Sequence, residues 1–197
     1  MLSAVILSAG NSERMGFPKA ILEYKGRKFL EIIISSLKNI GIKEINIVLG
    51  KDRELILNKI SLTDEKVIFN DKPELGQIYS LRLALEKMDR KNDFMICLVD
   101  QPLIKESTYK DMADLFSENK DCIIIPKFLR EDNSYKRGHP IIIPSIYRDL
   151  CLIGPIDKGL HWVVHNENVK VKELITNDRN VIIDFDTMND YLNISKL

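Results

Sequence analysis

The chain has 197 residues, with 29 Lys+Arg against 29 Asp+Glu and 45% hydrophobic residues, a size and composition that suit one globular domain able to bury a sizeable core. Acids and bases are interspersed and the formal net charge is zero, which excludes a polyanion-coating protein and a disordered chain, so no nucleic-acid partner is expected. Apolar runs such as 32–34 and 141–143, and even 94–99, fall far short of the roughly 18 residues of a membrane-spanning helix, and the N-terminal segment lacks the cationic start of a secretory signal, so a cytoplasmic protein with no membrane partner is expected.

In chain order, short Val- and Ile-rich runs at 4–7, 45–49, 67–69, 94–99, 122–125, 141–143 and 181–183 are bounded by charged or turn residues and predict buried strands. Between them, Leu30, Ile33, Ile34 and Leu37 have helical spacing, and Gly41 is placed to stop that helix. Ile78, Leu81, Leu85 and Met88 share a stripe on a second helix over 77–88, and Tyr109, Met112, Ala113 and Phe116 repeat the pattern on a third. This alternation across the first 125 residues predicts a doubly wound α/β protein with a mostly parallel sheet and helices on both faces. After residue 126 the alternation weakens, and 130–137 reads as a solvated loop where an antiparallel hairpin or lid would sit on the sheet. No linker or repeat divides the chain, so 1–197 is expected to form a single domain. Cys97, Cys122 and Cys151 lie in apolar runs without a Cys-x-x-Cys pair and read as core thiols.

In such sheets ligands bind outside the carboxyl ends of the strands, so the polar groups that follow each apolar run are the candidates. The first run leads into Ser8-Ala9-Gly10-Asn11-Ser12-Glu13-Arg14-Met15-Gly16-Phe17-Pro18-Lys19. Small residues there let the backbone approach an anion, and Arg14 and Lys19 add positive charge, which makes this turn a candidate phosphate site. It matches neither Gly-x-x-x-x-Gly-Lys-Ser/Thr nor Gly-x-Gly-x-x-Gly. Asp100 closes the apolar run 94–99 at the same edge and suits a hard cation such as Mg²⁺. Asp184 and Asp186 follow the last run with a period of two, and either is a candidate second ligand; the alternative is that Asp186 or Thr187 caps a final helix. From Asn70 through Gly76 and Gln77 to Ser80, a strand end leads into a helix start that suits a nucleotide's base, ribose or phosphate. His161 and His165 have helical spacing, but Trp162 stands at the general-base position of His-Glu-x-x-His, and a packed helix is the better reading.

Together these stretches resemble a known family. Leu7 to Lys19 (LSAGNSERMGFPK) is similar to the Leu-x-Ala-Gly-x-Ser-x-Arg-Met-Gly-x-x-Lys signature of MobA-like nucleotidyltransferases. Gly76-Gln77 to Ser80-Leu81, Val99-Asp100-Gln101-Pro102, Arg137-Gly138-His139-Pro140 and Asp184 to Asp190 resemble that family's later elements, in order. The Arg-Gly-His-Pro element and the Ala9-Gly10 pair favour the MocA type, a molybdenum cofactor cytidylyltransferase. Gln77, Val99 and Met188 depart from the Met, Gly and Pro common at those positions, and the first two bear on nucleotide choice.

The resemblance implies a Rossmann-like nucleotidyltransferase fold of three layers, α/β/α, and transfer of CMP from CTP to the terminal phosphate of molybdopterin with release of pyrophosphate. It places Leu7, Ser8, Ala9, Gly10, Ser12, Arg14 and Lys19 on the triphosphate, and Asn70, Gly76, Gln77 and Ser80 on the nucleotide. It places Asp100 and Asp186, with Asp184 as a further ligand, on Mg²⁺, and Arg137 and His139 on the pterin or nucleotide. A molybdoenzyme is the implied recipient of the product. GTP as donor, a sugar or polyol phosphate as acceptor, and a non-catalytic accessory protein for a molybdoenzyme stay open as alternatives.

Overall fold

The structure is a computed structural model that describes residues 1–10 and 14–194. Its elements are β1 (Leu2–Ser8), β2 (Glu23–Tyr24), β3 (Arg27–Lys28), α1 (Phe29–Asn39), β4 (Ile45–Leu49), α2 (Arg53–Lys59), β5 (Lys66–Phe69), α3 (Gly76–Lys87), β6 (Asp93–Leu98) and α4 (Glu106–Glu118). They continue with β7 (Cys122–Leu129), β8 (Tyr135–Arg137), β9 (Ile141–Ile143), α5 (Arg148–Ile153), α6 (Gly159–Val164), β10 (Lys170–Thr176) and α7 (Met188–Leu192).

The main sheet has the order β10-β7-β9-β6-β1-β4-β5, with β8 paired to β7. Neighbours pair in parallel from β6 through β1 and β4 to β5, and again between β10 and β7. Strand β9 enters antiparallel between β6 and β7. The central strands are continuously apolar because both faces are covered. Ala4, Ile6, Met95 and Cys97 pack under α1 and α4 with Leu30, Ile33, Leu37, Met112 and Phe116. Val5, Leu7, Phe94 and Ile96 face the other way, onto Ile78, Leu81 and Leu85 of α3 and Cys151 and Val163 of α5 and α6. The expected three layers, α/β/α, are therefore present.

The last apolar run is not a strand. Residues 181–183 leave a short 3-10 turn, Arg179–Ile182, with Val181 fully buried as a plug under the sheet edge. The edge position belongs to β10, whose exposed, partly charged pattern hides it from an apolar-run search; charge is what an unprotected edge requires. Hairpin β7–β8 forms where a hairpin or lid was expected, although it extends the sheet through β7 instead of sitting on it. Cys97 and Cys151 are core thiols, with burial pushing Cys151 up to about 12 and Cys97 higher still. Cys122 is half-buried at the start of β7.

Two devices fix the parts that carry the site. Arg148, buried at the start of α5, donates to the carbonyls of Leu85, Met88 and Asp89 at the end of α3. Arg82 of α3 donates in return to the carbonyls of Cys151 and Gly154 at the end of α5. Each helix thus supplies the cation that the other's C-terminus needs. Separately, Met15, Leu22, Phe29, Phe185 and Ile194 form a small third core, with the Phe29 and Phe185 rings 5.6 Å apart. That core joins the loop after β1 to the C-terminal segment.

Candidate active site

A cleft lies along the carboxyl ends of β4, β1 and β6 and the amino end of antiparallel β9, and it has two lobes. The first, about 470 Å³, is lined by Leu7, Ser8, Gly10, Pro18, Lys19, Gly50, Asp52 and Val99 among others. The second, also about 470 Å³, takes in Gln101, Lys136, Arg137, His139, Ile182 and Asp184. Arg14, Gln77, Leu98, Asp100 and Asp186 line both, so the lobes meet at these residues.

Two glycines set this geometry by close backbone approach. A Cβ on Gly50 would stand 2.5 Å from the Ala9 carbonyl oxygen, so the end of β4 lies directly against the turn after β1. A Cβ on Gly138 would stand 1.8 Å from the Val181 carbonyl oxygen. The Arg-Gly-His-Pro element therefore rests on the buried plug at 181, where the His139 N–H also donates to the Val181 carbonyl at 3.0 Å.

At the junction Lys19 donates from Nζ to Asp100 Oδ2 at 2.9 Å and to Asp186 Oδ1 at 2.6 Å. Arg14 Nη2 reaches the other oxygen of Asp186 at 3.3 Å from an exposed position. Burial works against the charge of Lys19, but Asp100 and Asp186 outweigh it and hold its ammonium above the usual lysine range. Burial likewise pushes the Asp100 carboxyl up; Lys19 pulls it back, Asp184 and Asp186 push it further, and the net shift is upward. Asp186 is held below the usual range, chiefly by its bond to Lys19. Burial drives His139 down to about 4 against the pull of Asp100, so its imidazole is neutral at pH 7 and offers a hydrogen bond, not a charge.

The helix-cap question at 186–187 resolves cleanly. Thr187 Oγ1 accepts the Asp190 N–H at 3.2 Å, and the Asp190 carboxylate accepts the Thr187 N–H at 2.8 Å, a capping box on α7. Asp186 is thereby left to Lys19 and Arg14. Asp184 turns to Gln101, whose Nε2 donates to Asp184 Oδ1 at 2.7 Å.

The structure brings Leu7, Ser8, Gly10, Arg14, Lys19, Gln77, Asp100, Arg137, His139, Asp184 and Asp186 onto the cleft. Asn70 and Ser80 have a different use. Both are buried, bonded Nδ2 to Oγ at 2.8 Å, and Asn70 Oδ1 accepts the Lys72 N–H at 2.7 Å. They pin the turn in which Gly76, at φ +81°, starts α3 and delivers Gln77 to the junction. Ala9 is buried against Gly50, and Ser12 lies outside the described residues. Arg137 shares Glu173 with Lys127 at 2.7 and 2.6 Å while lining the second lobe. Sequence reasoning passed over Gly50, Asp52 and Lys136; a glycine and an acid directly after a buried strand were the available signal for the first two.

The donor set suits a hard divalent cation. Two carboxylates, Asp100 and Asp186, converge on one ammonium that stands where a cation is wanted, and Mg²⁺ is commonly held by one or two carboxylates plus substrate phosphates. No ready-made cage of three or more His, Cys, Asp or Glu exists among the described residues. His161 and His165 stack at 3.9 Å on α6, with His165 Nδ1 bonded to the His161 carbonyl, which agrees with a packed helix.

A sheet-edge cleft of this kind, with cations after β1 and acids after β6 and near the C-terminus, defines a nucleotidyltransferase domain. Rv0371c from Mycobacterium tuberculosis H37Rv has the same fold, with a TM-score of 0.83 and 25% identity over 100% of this chain and 98% of that one. So does a nucleotidyl transferase from Methanothermobacter (Mth528), with a TM-score of 0.80 and 21% identity over 100% and 96% of the two chains. The chain belongs to the MobA-like NTP transferase domain family, whose model matches residues 4–169. The bifunctional protein GlmU of Clostridium botulinum is 28% identical over 98% of this chain and 40% of its own length. The nicotine blue oxidoreductase of Paenarthrobacter nicotinovorans is 27% identical over 73% of this chain and 71% of its own. This chain spans 26% of the GlmU of Clostridioides difficile, so it matches one part of a longer relative there. Among the described residues no helix is long and apolar enough to cross a membrane.

Proposed function

We propose that this chain transfers CMP from CTP to the terminal phosphate of molybdopterin, with release of pyrophosphate and with Mg²⁺ as the resident ion, and that the product passes to a molybdoenzyme in the cytoplasm. The observation that carries nucleotidyl transfer is the junction itself: two lobes meet at Asp100 and Asp186, which Lys19 bridges from the first lobe, so that a donor in one lobe would face an acceptor in the other. An acceptor phosphate oxygen is already anionic, so the chain needs no Ser-His or Cys-His device to activate it. The difficulty is bringing two anions together, and positioning with electrostatic stabilisation answers it. Gly10 and Ser8 supply the backbone floor for the triphosphate, and Lys19 and Arg14 neutralise it. Asp100 and Asp186 would hold Mg²⁺, which supplies charge neutralisation on phosphate oxygens. A structure of Rv0371c in complex with manganese is consistent with that expectation. In the second lobe Arg137 and Lys136 face an anionic group and neutral His139 a hydrogen-bonding one, which favours an acceptor that carries both.

The test is pyrophosphate release with each of the four NTPs, Mg²⁺ and molybdopterin. Release with CTP and molybdopterin is the expected result. Release with GTP corrects the nucleotide, and release only with a sugar or polyol phosphate corrects the acceptor. NTP binding without turnover on any acceptor turns the reading toward an accessory protein, and no release with molybdopterin under any NTP overturns it.

A further inference from the structure

Gln101 is 3% exposed in the loop that follows β6, on the wall of the second lobe. Its Nε2 donates to Asp184 Oδ1 at 2.7 Å and, more weakly, to the Val181 carbonyl at 3.4 Å. Both contacts are made to oxygen acceptors, which orients the amide with its NH₂ toward them. Oε1 is then left buried without a partner among the described residues. A residue that served only the fold would do better here as leucine, because a buried orphan acceptor is a cost and the Val181 carbonyl is already satisfied by His139 N–H at 3.0 Å. What Gln101 provides that leucine cannot is its hold on Asp184.

That hold matters because Asp184 lies two residues from Asp186 and on the same lobe as Asp100 and Asp186. Three carboxylates around one cation make a protein cage that fills without substrate. Two leave coordination positions for phosphate oxygens, so that the cation arrives with the nucleotide. We propose that Gln101 is a positioning residue that withholds Asp184 from the Asp100–Asp186 pair and so keeps the cation site open to the nucleotide. This rests on the reading of the cleft as a divalent-cation nucleotide site.

The experiment measures free Mn²⁺ by electron paramagnetic resonance on the full chain without nucleotide. Gln101→Leu should bind Mn²⁺ about tenfold more tightly than wild type, the size of effect that residues behind metal ligands exert. The double variant Gln101→Leu/Asp184→Asn should return to the wild-type value. Equal or weaker Mn²⁺ binding by Gln101→Leu with an unchanged melting temperature overturns the proposal, as does tightening that survives in the double variant. Asp184→Asn alone keeps the proposal falsifiable if Gln101→Leu does not fold: its Mn²⁺ affinity should equal wild type, and a loss shows Asp184 to be a ligand already. Mn²⁺ uptake by wild type with CTP is the separate check on the underlying reading. Its absence removes both, whereas normal CTP-dependent uptake with an unchanged Gln101→Leu affinity removes this proposal alone.

Discussion

Strands β1, β4 and β6 carry an acidic polar cluster at each end, and the two clusters are built on opposite principles. At the amino end Glu44 accepts from Ser3 Oγ at 2.8 Å and Asn92 Nδ2 at 2.7 Å on one oxygen, and from Lys66 Nζ at 2.7 Å on the other. Burial works against the charge, but these partners outweigh it and hold Glu44 below the usual carboxylate range. At the carboxyl end Asp100 shares Lys19 with Asp186, feels Asp184 as well, and is held above that range. The first cluster is complete within the chain. The second is short of positive charge, and that shortage makes it a place for an ion and an anionic ligand.

Asp100→Asn tests the contrast most severely. It should lower turnover by about 10³-fold, the scale of losing one preorganised electrostatic group, while the melting temperature holds or rises because a carboxylate in unfavourable company has gone. A clear drop in melting temperature would mean that the carboxyl-end cluster serves the fold after all. Phe185→Ala comes next, at about 3 kcal/mol of stability in chemical denaturation, with a raised KM for NTP because Phe185 anchors Asp186 to the loop that carries Lys19. Phe116→Ala, equally buried on the core face of α4, should cost similar stability and leave that KM alone. Equal KM values for the two variants would show that the third core does not position the site. The smallest effect is Glu44→Gln, about 2 kcal/mol near neutral pH for lost charge-assisted hydrogen bonds. Since the folded Glu44 value lies below the unfolded one, its contribution is full above the ordinary glutamate pKa and is lost as pH falls through the folded value. Denaturation curves of Glu44→Gln and wild type should therefore converge in acid, and a gap that does not narrow would show that packing, not charge, accounts for the loss.

What the sequence disclosed and what it hid divide along the same physical line. Strands β1, β4 and β6 were legible because burial on both faces leaves an unbroken apolar run, and α1, α3 and α4 because one buried face leaves a stripe. Edge strand β10 was hidden by the exposed residues its position demands, and 181–183 was misleading because a buried plug has the composition of a strand. The cleft was legible wherever a polar residue directly follows an apolar run, as at Ser8 and Asp100. Asn70 also follows that rule, yet it is bonded to Ser80, and Asp184 is held by Gln101. Such pairings depend on three-dimensional distances between side chains, which local spacing does not encode.

The third core has a consequence for folding order. Lys19 and Asp186 are 167 positions apart, and Phe185 and Ile194 must dock on Phe29 and Met15 before the two charges meet. Closing so long a loop is entropically slow and comes after the local helix and strand contacts of the central sheet. During synthesis the first lobe therefore stays incomplete until the ribosome has released the segment that carries Asp186. Assembly of the cleft then depends on that segment, and a protein truncated before it can be well folded at its centre and still be inert.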